Sequence, residues 1–239
     1  MLLLRRFQYA LPLLPLILSS LPALAQSHSP SSTISVREYC IPENARAAFN
    51  QGLQHFEKYD FSGSARFFFK AIHKFPDFYE AYYQLGLAQV HLNQTDNAAR
   101  SFQTAIDLSG GHYPLAAFAY ALLLCNQGQL TDAERLVRHG LEQNQNAPDG
   151  YVVLGVVLAH FNRLDEAEHN AREALSRSPH AYEAYLLLAY VHDQRKDYSA
   201  EIRDFDNFLA AEHRGPRADH VQELRKIAQQ HVTVNPVGK

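Results

Sequence analysis

Residues 78–112 read FYEAYYQLGLAQVHLNQTDNAARSFQTAIDLSGGH, and this stretch decides the fold. It holds two apolar segments at helical spacing around the polar turn Asn93-Gln94. A small residue, Gly86, sits inside the first segment, and Ala98, Phe102 and Ala105 recur at helical intervals in the second. A glycine in a helix weakens it unless two helices must approach closely there, so Gly86 reads as a packing device.

The pattern returns along the chain. Gly52, Gly86, Ala121, Gly155 and Ala189 hold one position at intervals of 34 or 35 residues. Twelve residues later come Ser64, Ala98, Ala133, Ala167 and Glu201, then Phe68, Phe102, Val137, Ala171 and Phe205. Ala71, Ala105, Gly140, Ala174 and Phe208 follow three further on, and Pro76 and Pro179 close the first and fourth units. This register resembles the tetratricopeptide repeat, a helix-turn-helix unit of about 34 residues. The resemblance implies an all-α fold: a right-handed superhelical solenoid of antiparallel helix pairs. Five repeats are expected, at about 43–77, 78–112, 113–146, 147–180 and 181–213. Glu201 and Phe208 depart from the alanines of the family, and Gln51 and His55 depart in the first unit.

Helix starts carry Pro42, Pro114 and Pro148, and Thr131 to Glu134 stands in capping-box register. Beyond the break at Arg214-Gly215-Pro216, a helix over about 217–231 lines up Val221, Leu224, Ile227 and Ala228. A solenoid needs its last apolar face covered, so residues 214–239 read as a capping helix and tail.

Ahead of the repeats, Arg5 and Arg6 precede the apolar run Phe7–Leu18, and Ala23-Leu24-Ala25 follows. A positive start, a short apolar core and small residues at the cut define a secretory signal peptide over 1–25, with a flexible arm over 26–42. The mature chain is expected to be exported, periplasmic in a Gram-negative host and secreted otherwise. Beyond that run, nothing in the sequence approaches the ~20 apolar residues of a membrane span.

The chain has 239 residues, 46% of them hydrophobic and 20% charged, with 22 Lys and Arg against 25 Asp and Glu. No basic excess points to nucleic acid. Cys40 and Cys125 fall two repeats apart, beyond disulfide reach, and are expected to stay unpaired. The 13 histidines include no pair three or four apart, the spacing a helical metal site needs. No phosphate loop, nucleophile elbow or dinucleotide turn is present. No cofactor, metal or catalytic residue is expected.

In the tetratricopeptide family the first helix of each unit lines the concave face. The resemblance places there Phe49, Leu53 and Phe56, then Tyr83, Leu87, Val90 and His91. Phe118 and Leu122 follow, with Val152, Val156 and His160, and finally Leu186 and Tyr190. The residue after each small position, commonly Asn in the family, is apolar here: Leu53, Leu87, Leu122, Val156 and Tyr190. The Lys and Asn clamp for a peptide carboxylate, used by chaperone-binding members, is absent. An apolar stripe suits an amphipathic helix or an extended apolar peptide. The sequence thus reads as a non-enzymatic scaffold for a partner protein or peptide, with self-assembly into a homo-oligomer as the alternative and a metal-dependent enzyme as a third reading.

Overall fold

The computed structural model describes residues 40–234. The signal-peptide and export readings, and the arm up to residue 39, lie outside the described residues. Within them the chain is all-helical: eleven helices and no strand. The helices divide into two compact units, with the boundary between Gln127 and Gly128.

The first unit holds α1 (Glu43–Glu57), α2 (Phe61–Lys74), α3 (Tyr79–His91), α4 (Thr95–Ser109) and α5 (Pro114–Asn126). Each helix packs on the next. The small residues work as the sequence implies. A Cβ added at Gly52 would stand 2.5 Å from the Phe68 ring, and one at Gly86 would stand 2.5 Å from the Phe102 ring. Phe68 and Phe102 are both fully buried, so the glycine and the phenylalanine sixteen residues on form one lock between paired helices.

The second unit holds α6 (Leu130–Gln143), α7 (Pro148–His160), α8 (Leu164–Arg177), α9 (Glu183–Gln194), α10 (Tyr198–Ala211) and α11 (Pro216–Val234). Here too, successive helices pack against each other, and α7 also touches α9. The last helix sets Val221 and Ala228 into the core formed by Leu186, Ala189, Phe205 and Phe208. Its start is anchored by Arg217, which pairs with Glu183 at 3.0 Å and Glu212 at 3.2 Å and lies over the Phe208 ring. That half-buried anchor has no local sequence signature, because its partners lie 34 and 5 residues back along the chain.

The turns inside the repeats share one device. Tyr59, Asn93, Gly128, Asn162 and Lys196 all adopt positive φ, between 57° and 77°. Their spacing repeats the 34- or 35-residue period. Asn and Gly tolerate this left-handed conformation, whereas Tyr59 and Lys196 incur a Cβ clash. Helix starts differ from the sequence reading at one place. α6 begins at Leu130 with Gln129 as its cap and no side-chain cap bond, so Thr131 already lies inside the helix and the capping box does not form. The capping side chains are Asp60, which accepts from the Gly63 N–H, and Asp197, which accepts from the Ala200 N–H.

Candidate functional site

First and second helices of the repeats are built differently. In α4, α6 and α8 burial follows a single line: Ala98, Phe102 and Ala105; Ala133, Val137 and Gly140; Ala167, Ala171 and Ala174. The rest of each surface is mostly polar and solvated. In α5 every residue from Leu115 to Cys125 except Tyr120 is buried, and in α7 every residue from Val152 to Ala159 is buried. A helix that is apolar round its circumference must be covered on every face.

The stripe named from the sequence divides three ways. Phe49, Tyr83 and Leu186 take part in packing between helices. Phe49 meets the rings of Phe68 and Phe78 at 5.5 and 4.9 Å, Tyr83 meets Phe102 and Tyr113, and Leu186 lies in the α9–α10–α11 core. Leu87, Phe118, Leu122, Val152 and Val156 are buried, at 5% exposure or less. Leu53, Phe56, Val90, His91 and Tyr190 are half-buried, Leu53 and Phe56 against the core of Ala65, Phe68, Leu85 and Ala88, and His160 is exposed.

In the first unit the half-buried residues converge. His91 stacks on Phe61 with centroids 4.0 Å apart and planes within 2°, and meets Phe56 edge-on at 5.5 Å. Burial pushes the His91 imidazole below its ordinary pKa, which favours the neutral ring. Phe61 belongs to α2, and the sequence reading did not include it; its only signal was an aromatic two residues past the turn residue Tyr59. In the second unit the exposed His160 donates from Nδ1 to the Val156 carbonyl at 2.9 Å, which leaves Nε2 for solvent or a partner.

The second unit also buries acids. Glu201, at 8% exposure, stands where the other four units carry Ser or Ala. Burial, with Asp193 and Asp204 nearby, pushes its carboxyl up to about 8, and its Oε2 has no hydrogen-bond partner. Burial likewise raises Asp204, although His192 Nδ1 at 2.6 Å works against it, and burial plus Glu183 lifts Asp149 to about 6. Among the described residues no three His, Cys, Asp or Glu side chains are arranged to hold a metal ion. No described helix is long and apolar enough to cross a membrane. Cys40 and Cys125 form no disulfide; Cys125 is buried, and that burial pushes its thiol up to about 12.

Comparison with known proteins agrees with this geometry. Tetratricopeptide-repeat models match residues 79–112, 118–168 and 161–216, together more than half of the chain. The chain belongs to the tetratricopeptide-repeat family, a fold of interaction scaffolds. Among solved structures it is similar to TTC0263, a thermophilic TPR protein of Thermus thermophilus, with a TM-score of 0.70 at 16% identity over 78% of this chain and 99% of that one. It is also similar to pilF of Pseudomonas aeruginosa, with a TM-score of 0.61 at 16% identity over 82% of this chain and 94% of that one. By sequence it is 31% identical over 102 residues to the BBSome complex member BBS4 of Bos taurus, over 43% of this chain and 20% of that protein. The chain therefore spans about a fifth of that curated relative's length.

Proposed function

We propose that this protein is an exported, non-enzymatic scaffold that holds an apolar or amphipathic segment of a partner protein along the first helices of its repeats. The observation that carries the reading is the apolar circumference of α5 and α7, which α1, burying only Ala45, Ala48 and Gly52, does not share. A helix that served only its own repeat would need one buried line, as α4, α6 and α8 have. Within the first unit the half-buried Phe56 and Val90, and within the second the half-buried Tyr190, offer accessible edges for a partner, while Leu87, Leu122 and Val156 are buried within their own units. Covering apolar surface there favours binding by about 25 cal/mol per Å² before the costs of association and side-chain ordering are subtracted. His91, whose burial favours the neutral ring, and Nε2 of the exposed His160 supply polar contacts. The similar BBS4 is itself named as a member of a complex, which fits an assembly role.

The test substitutes half-buried residues, where a change in binding separates from a change in folding. The double variant V90S/Y190S is expected to melt within a few degrees of wild type yet lose co-purification of the partner. Retained capture by the folded variant would place the partner elsewhere.

A further inference from the structure

The outer face of α2 is unlike that of any other second helix. Arg66, Phe69, Lys70, His73 and Lys74 are all exposed, at the i, i+3, i+4, i+7 and i+8 spacing that puts them on one stripe. α2 carries three of the six Lys and Arg between residues 40 and 127 and none of the seven Asp and Glu. Among the described residues none of its three cations, Arg66, Lys70 and Lys74, forms an ion pair, a state they share with Arg46, Lys58 and Arg100 of the same unit. In the second unit nine cations, from Arg135 to Lys226, are each paired with a carboxylate, and Lys196, Arg203 and Arg214 are not. The nearby Asp60 is held by the Gly63 N–H and by His55, with a smaller electrostatic attraction to Arg66.

Aromatic rings lie among these charges. Phe69 is 55% exposed, one of three large apolar side chains left exposed among the described residues. Beside it Phe67 is stacked by His55, with Arg66 and Lys70 at 5.3 and 5.8 Å from its ring, so both cations are held at the base of the stripe.

We infer that the α2 face docks this protein on an anionic phospholipid surface, with Arg66, Lys70 and Lys74 on the phosphates and Phe69 in the headgroup layer. Charge complementarity selects the occupant. The chain carries a net charge of −3, so an anionic surface attracts it only where cations stand together without acids. A single convex helix face has no groove and buries too little area for a stable protein complex, which needs about 1,000 Å² or more. A lipid surface requires no groove: it meets a row of cations in any register and accepts an exposed ring at its boundary.

Flotation of the full chain with vesicles tests this, comparing phosphatidylcholine alone with an equal mixture of phosphatidylcholine and phosphatidylglycerol. The apolar stretch Phe7–Leu18 is common to every variant, so the differences between variants are the readout. Wild type is expected to favour the anionic vesicles by about tenfold or more at low salt, and to lose that preference as salt rises. R66Q/K70Q/K74Q should remove most of the preference, and F69S should weaken binding without changing its salt dependence. The charge-preserving R66K/K74R and the distant R135Q/R172Q/K226Q should both bind as wild type does. All these side chains are exposed, and an unchanged melting curve certifies each variant. Equal binding by R66Q/K70Q/K74Q and wild type would overturn the proposal. So would indifference to vesicles combined with capture of polyglutamate, which would make the stripe a site for acidic protein.

Discussion

α7 and α8 are the two helices of one repeat, of nearly equal length, and their surfaces have little in common. α8 buries Ala167, Asn170, Ala171 and Ala174 and presents mainly Arg and Glu elsewhere, whereas α7 buries everything from Val152 to Ala159. Both lie in a repeat whose register is set by the same small residues. The second helix is explained by the repeat it completes. The first packs on α6, α8 and α9 at once, which is why it is buried round its circumference.

The largest expected effect sets these two classes against each other. Leu122→Asn, at a fully buried first-helix position, should lower stability by about 3 kcal/mol or more through lost burial and an unpaired amide. Arg172→Gln, on the exposed side of a second helix, breaks only a surface pair with Glu168 and should change stability by no more than about 0.5 kcal/mol. Urea melts of both variants check the contrast, and comparable losses would dissolve it.

A middle-sized effect concerns the second helix that breaks its own rule. α10 sets Glu201 on its buried line, with a carboxyl lifted from 4.5 to about 8. A carboxyl raised on folding binds its proton in the folded chain where the unfolded chain has lost it. Stability therefore falls as pH rises from about 4.5 to about 8. Glu201→Gln removes that group's titration and should flatten the slope of melting temperature against pH over this window, and Glu201→Ala should do the same. An unchanged slope would mean that Glu201 is ionised and solvated.

The smallest effect lies in the turns joining the two helices. Lys196 holds a φ of 60° where the third unit has Gly128. Lys196→Gly relieves the Cβ clash against a small entropic cost, for a gain of about 0.5 kcal/mol, while Gly128→Ala should lose about 1 kcal/mol. Paired thermal melts measure both.

The helices and their pairing were legible in the sequence because close approach demands small residues at fixed intervals, and Gly52, Gly86 and Gly155 leave no room for a side chain. The left-handed turn residues were written at the same period but were masked by Tyr59 and Lys196, which do not announce that conformation. Thr131 to Glu134 matched a capping box two residues too far into its helix, since cap register depends on where the preceding turn ends. The candidate site was harder to read. Periodicity picks out which residues point away from the second helix, but not what covers them. Phe49, Tyr83 and Leu186 prove to be packing residues, and Phe61 joins His91 through a stacking contact between α2 and α3 that spacing alone does not show.

The most direct test of the scaffold reading places a photo-crosslinking amino acid, in turn, at Leu53, Val90 and Tyr190 on first helices and at Glu173 and Arg135 on second helices, followed by irradiation in living cells. The first-helix positions are expected to yield a discrete adduct with the same partner protein, and the second-helix positions none. Adducts at Glu173 and Arg135 with silence at Leu53, Val90 and Tyr190 would contradict it.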